Sequence, residues 1–251
     1  MSYLIQDMSE AITSVSSSLC RDFREMYYLQ NSGAGAKKFL TSAHLRCTES
    51  IVEKLKKCRS DYGLIVNGTK SSMQEYMWYV VAIDSKANFL NAIGSFAVCV
   101  AIFHKGEVTC SVVSIPIMQE TFFAERSKGV FYLDYNLRKM KMKPCIKDQA
   151  SPVADLNYLV KQKNLISQLH SLHTHVRSIG SVFSGFVYFA LSRFETISYL
   201  NLDHFTKKIG EFFVHEGGGR VINSSGRFIA TNNSKLDQTM RKSQEGLYAR
   251  E

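Results

Sequence analysis

Apolar side chains return at three- and four-residue steps along residues 3–29: Leu4, Met8, Ile12, Val15, Leu19, Phe23 and Met26. That period predicts one amphipathic helix with a single core-facing stripe. Asn31, Ser32, Gly33, Ala34 and Gly35 break it, because glycine supplies the backbone freedom a turn needs. The helical period resumes over 48–58, with Ile51, Val52 and Leu55 inward and Thr48 placed as an N-cap. Then the pattern changes. Short runs rich in β-branched and aromatic residues at 62–66, 78–83, 96–103, 107–114, 120–125 and 129–133 predict strands. His104, Lys105 and Gly106 join two of them as a hairpin. Arg138, Lys139, Lys141 and Lys143 alternate with Met140 and Met142, the pattern of an edge strand whose charges blunt aggregation.

Beyond residues 144–156, which hold two of the three prolines, the elements alternate in type. A helix is expected over 157–172, a strand running into a helix over 177–192, a strand over 195–200, and a further helix carrying Phe205, Ile209, Phe212 and Phe213. Asp203 is positioned to cap that last helix. A meander followed by alternating strands and helices indicates a mixed α/β (α+β) fold.

With 251 residues and 45% hydrophobic content the chain is long enough for a large core, read here as one domain over 1–251 with halves 1–145 and 146–251. Six scattered cysteines without a C-x-x-C pair argue against a zinc site or a disulfide framework. His170, His173 and His175 do not converge easily on a metal, because their spacings suit different backbone periods. No basic leader opens the chain and no apolar run is long enough to span a bilayer, so a cytoplasmic protein is expected. The net charge of +9 favours polyanionic or phosphorylated partners. No arginine-rich run or RNA-binding signature accompanies it.

Residues 78–89, WYVVAIDSKANF, concentrate the candidate chemistry: a buried strand, then Asp84 and Ser85 at its open end. This stretch resembles the hallmark of the inositol monophosphatase family, W-I-I-D-P-[IL]-D-G-T-[TS]-N-F, at Trp78, Ile83, Asp84, Asn88 and Phe89. Further along, Arg177, Ser178, Gly180 and Ser181 resemble R-[SA]-x-G-[ST]-A, and Glu216 to Gly219 resemble E-A-G-G. The likeness runs over roughly residues 1–235. It implies a layered αβαβα sandwich, a β-hairpin near residues 31–35, a homodimer, and hydrolysis of phosphate monoesters by magnesium ions held on carboxylates. A bacterial branch of that family, the extragenic suppressors, associates with the transcription and ribosomal-RNA machinery.

Carried over position by position, the resemblance implies that the family's metal-binding Glu is Gly68, its first Asp is Val81, its second is Asp84 and its last is Thr206. The Asp of a further T-x-x-D motif is His44. Asp84 with neighbouring Lys86 sums to about zero charge, whereas Mg²⁺ demands anionic oxygens. The expectation is a family member with impaired catalysis and no magnesium of its own. It would bind a phosphorylated small molecule, an anion or a macromolecular partner, with Ser85, Lys86, Gly180 and Ser181 as the anion-binding group. Lys86 as a solvated loop residue and Asp84 as a turn-capping carboxylate remain alternatives. The competing reading is a magnesium-dependent inositol or sugar phosphate monoesterase with relocated ligands, for which Glu75, Asp203 and Glu216 are the acidic candidates beside Asp84.

Overall fold

The computed structural model describes residues 3–30, 32–70, 74–133, 138–142, 152–172, 174–224 and 226–232, with Ser234, Asp237 and Gln238. Two long helices open the chain, α1 (Tyr3–Leu29) and α2 (Gly33–Cys58). The apolar stripe of α1 is buried as its period predicts, from Met8 and Ile12 to Phe23 and Met26. The second helix differs from the expectation. It starts at residue 33, where a turn and a β-hairpin were anticipated, because Ser32 caps it by accepting a hydrogen bond from Gly35 N. Thr48 therefore lies mid-helix, and its hydroxyl donates back to His44 O.

A meander follows: β1 (Gly63–Val66), β2 (Thr69–Lys70), β3 (Tyr76–Val81), the short helix α3 (Lys86–Leu90), β4 (Val98–His104), β5 (Glu107–Ile115), β6 (Glu120–Glu125), β7 (Gly129–Leu133) and β8 (Lys139–Lys141). These strands form an eight-stranded sheet in the order β2-β1-β3-β4-β5-β6-β7-β8, so the basic strand stands at an edge. The second sheet has five strands in the order β10-β9-β11-β13-β12. Its elements are β9 (Val153–Leu156), α4 (Lys163–Ser171), β10 (His175–Arg177), α5 (Val182–Ala190), β11 (Thr196–Leu200), α6 (His204–Glu216), β12 (Arg220–Ser224) and β13 (Arg227–Thr231). The pattern reading placed no strand at 153–156, 220–224 or 227–231. These runs are short, and β9 gains its identity from parallel pairing to β10 and β11.

Three separate cores establish the αβαβα layering. α1 and α2 pack on one face of the large sheet around Trp78, Val80 and Phe96. α5 and α6 fill the space between the sheets, with Tyr79, Phe103, Phe186 and Phe213. α4 covers the outer face of the small sheet through Leu165 and Leu169. Strand alternation explains the division, since Trp78 and Val80 face one layer while Tyr79 and Val81 face the other. No helix among the described residues is long and apolar enough to cross a membrane.

Candidate functional site

The sequence-identified positions converge where the ends of β1 and β3 meet the N-termini of α5 and α6. Asn67 and Gly68 form the two-residue turn between β1 and β2, with Val66 paired to Thr69. Both carry positive φ, 49° and 80°, the signature of a hairpin turn for which Asn-Gly is the favoured sequence. Gly68 thus serves the backbone and brings no side-chain ligand atom. Val81 ends β3 buried, at 7% exposure, and packs into the core shared with α5 and α6.

Asp84 follows, held by main-chain and side-chain bonds from both sheets' layers. Asp84 N donates to Ala97 O at 3.1 Å, and Ala97 N donates to Asp84 Oδ1 at 2.8 Å. Its Oδ2 accepts the Ser181 hydroxyl at 2.7 Å and Phe183 N at 3.1 Å. Burial pushes this carboxyl up to about 6, while the bonds from Ala97, Ser181 and Phe183 pull the other way. Asp84 is therefore the anion at the N-terminus of α5, the position a phosphate was expected to take. Ser181 is the α5 N-cap, accepting from Ser184 N, and is 1% exposed. Gly180 has φ 79° and lies against Asn88, whose Nδ2 donates to Ile179 O at 2.8 Å. A side chain at position 180 would have its Cβ 2.8 Å from Asn88 Nδ2, so only glycine fits the approach.

Thr206 belongs to the first turn of α6. Its hydroxyl donates to Asp203 Oδ2 at 2.5 Å and receives the Tyr79 phenol at 2.9 Å. Burial raises the Tyr79 phenol well above its ordinary range and keeps it a donor. Asp203 caps α6 as its sequence position predicts, accepting from Phe205 N and Thr206 N. A Cβ built on Gly68 would stand 3.4 Å from the Asp203 carboxylate, so this exposed carboxylate borders the space that a Gly68 side chain would enter.

On the other wall stand His44, Ser85 and Lys86. Ser85 is buried and precedes α3, and Lys86 is the exposed first residue of that helix. Burial, and then the charge of Lys86, hold the His44 imidazole below its ordinary range, against the opposing effect of a hydrogen bond to the Asn67 side chain. His44 Nε2 is buried and has no hydrogen-bond partner among the described residues. The sequence reading marked His44 only as the residue replacing an Asp; its unpartnered nitrogen is visible in three dimensions alone.

The alternative acidic residues are employed elsewhere. Glu75 lies before β3, at the strand end away from Asp84, and pairs with His104 at 3.0 Å and Lys105 at 3.4 Å. Glu216 ends α6 and accepts from Ser127 N and Gly129 N at 2.7 and 2.8 Å. Magnesium fits this donor set poorly. The one carboxylate at a ligand position already accepts three protein hydrogen bonds, and no group of three or more His, Cys, Asp or Glu among the described residues could hold an ion. His170 and His175 are both exposed, and His173 lies outside the described residues.

Comparison with known proteins sets this geometry in a lineage. The chain is 27% identical over 235 residues to an inositol-1-monophosphatase of Mesorhizobium japonicum, covering 90% of this chain and 87% of that protein. It is 24% identical over 202 residues to the Nus factor SuhB of Pseudomonas aeruginosa, covering 76% and 74%. The crystal structure of the extragenic suppressor protein suhB from Bartonella henselae superposes with a TM-score of 0.76 at 23% identity, over 96% of this chain and 98% of that one. An IMPase of Thermotoga maritima gives a TM-score of 0.69 at 20% identity, covering 82% and 84%. The sequence profile of the inositol monophosphatase family matches residues 3–250, and this chain belongs to that family.

Proposed function

We propose that this protein is a family member in which the phosphatase centre has become an anion-binding site without magnesium-dependent turnover. The observation that carries the proposal is the fate of the ligand positions: Gly68 forms a turn, Val81 is core, Thr206 bonds Asp203 and Tyr79, and Asp84 is spent on Ala97, Ser181 and Phe183. Without clustered carboxylates there is neither an ion to activate water nor a Lewis acid to neutralise the transition state. A phosphorylated small molecule would be met by the Lys86 ammonium, exposed at the start of α3. In this reading the family dimer persists and the protein works in the cytoplasm.

Phosphate release from inositol 1-phosphate with and without magnesium tests the first half. No magnesium-dependent release is expected; turnover abolished by EDTA would restore the monoesterase reading, with Asp203 as the relocated ligand to mutate first. Calorimetry with inorganic phosphate in low-salt buffer tests the second half. Binding is expected to weaken with salt and to be lost in Lys86→Ala, and equal binding by the two proteins would make Lys86 a solvated loop residue.

A macromolecular partner is favoured by a separate observation, the net charge of +9 in a chain similar to a protein named Nus factor SuhB. Co-purification with transcription or ribosomal-RNA components, sensitive to salt, is the expected outcome of that reading.

A further inference from the structure

A cavity of about 980 Å³ runs along the flank of α1 and shares no described lining residue with the anion site. Ser114, Gln119 and Thr121, where β5 passes into β6, oppose the helix across it. Thr13, Ser17, Arg21 and Arg24 recur at three- and four-residue steps, and so form one exposed stripe of α1. Their polar groups are uncommitted. Among the described residues, Thr13, Ser17 and Gln119 have no side-chain hydrogen bond, and Arg24 and Lys54 have no ion pair. Arg21 approaches Asp22 only at 4.0 Å, and Asp22 is held by Arg46 at 2.9 Å. Glu10, the acid of the lining, accepts from Gln6 Nε2 at 2.9 Å. Ser14 donates to Ala11 O at 2.7 Å, which leaves its lone pairs as acceptors.

The positive charge here is bounded in length. α1 and α2 pack as consecutive antiparallel helices with Arg46 beside Asp22, which sets Lys54 level with Ser14. Cations therefore stand at two levels about 12 Å apart, Arg21 with Arg24 at one and Lys54 at the other, with Ser17 between. Acids follow on either side, Asp7 and Glu10 before Thr13 and Glu25 after Arg24. We infer that this cavity is a second binding site, independent of Lys86, and that its ligand is a small phosphorylated polyol, a sugar phosphate by class. Two guanidinium groups one turn apart can hold one phosphate through charge-assisted bonds. Thr13, Ser14 and Ser17 meet the ligand's hydroxyl groups as donors and acceptors. An apolar occupant would strip water from those groups and return no bonds, which costs affinity at each. A polyanionic chain would need cations beyond both ends of the stripe, where this helix carries acids.

Calorimetry in low-salt buffer with glucose 6-phosphate, glucose and inorganic phosphate tests the site. Glucose 6-phosphate is expected to bind more tightly than inorganic phosphate, and glucose alone not to bind. The double variant Arg21→Gln/Arg24→Gln is expected to weaken glucose 6-phosphate about tenfold. Thr13→Val/Ser17→Ala is expected to narrow the preference for glucose 6-phosphate over inorganic phosphate. All four side chains are exposed, so these variants keep the fold. Lys86→Ala is expected to retain the arginine-dependent component, which separates this site from the anion site: loss of that component in Lys86→Ala overturns the independence of the two. Binding of glucose 6-phosphate that the arginine variant does not weaken overturns the inference. So does glucose binding as tightly as its phosphate, which would make this a neutral polyol site. A single-stranded oligonucleotide that binds more tightly than glucose 6-phosphate, with the same arginine dependence, overturns it in favour of a polyanionic chain.

Discussion

The N-termini of α5 and α6 stand side by side at the site, and each is closed by a carboxylate, yet the two carboxylates come from different places. At α6 the cap is local: Asp203 accepts from Phe205 N and Thr206 N, two and three residues on. At α5 the carboxylate is Asp84, nearly a hundred residues earlier in the chain and carried on the other sheet's layer. The physics is the same, orphan N–H groups and a helix dipole attracting negative charge. The consequences differ. Asp203 secures one helix end from an exposed position, whereas Asp84 ties two layers together from a half-buried one. The carboxylate that follows β3 acts as a clamp between the layers.

That contrast can be broken most forcefully at Val81. Val81→Asp sets an unpaired carboxylate in the shared core close to Asp84, and a loss of about 4 kcal/mol in urea unfolding is expected at pH 7; an unchanged midpoint would show that the site still accommodates two acids. Next in size, Asp84→Ala leaves Ala97 N, Phe183 N and the Ser181 hydroxyl without their acceptor, with an expected loss of about 3 kcal/mol. Asp203→Ala removes an exposed cap and is expected to lose about 1 kcal/mol. If the Asp203 variant proves the less stable of the two, the distinction between clamp and cap fails.

Asp155 sharpens the same comparison through pH. Burial pushes its carboxyl up to about 6, as it does that of Asp84, so the folded protein binds protons that the unfolded chain releases. Both groups therefore favour the fold below about pH 4, and their contribution is lost as pH rises through about 6. Asp155→Asn keeps an acceptor for Ile179 N and a donor for the Tyr199 oxygen. It is expected to gain about 2 kcal/mol at pH 7.5 and nothing at pH 4, read by thermal unfolding at the two pH values. A gain that persists at pH 4 would point to packing instead of charge. An effect as small as that of Asp203→Ala belongs to Gly68→Ala, which places a side chain at φ 80° near Asp203 and is expected to lose about 1 kcal/mol by the same measurement.

The stripe of α1, the strands from β3 to β7 and the Asp203 cap were legible in the sequence because each depends on neighbours within a turn or a strand. Hydrophobic period and capping chemistry are local, and local rules read local structure. The family frame at Trp78, Asp84, Asn88 and Phe89 was legible as well, and so was the absence of carboxylates at positions 68, 81 and 206. What those replacements do was decided by the tertiary structure. Gly68 serves a hairpin, Thr206 relays Tyr79 to Asp203, and Asp84 occupies the end of α5, because packing two sheets around α5 and α6 brings residues from both halves within hydrogen-bond reach. The unpartnered nitrogen of His44 has the same origin. A polar atom's need for a partner is written in its residue type, but whether that need is met depends on which distant atoms the fold sets beside it.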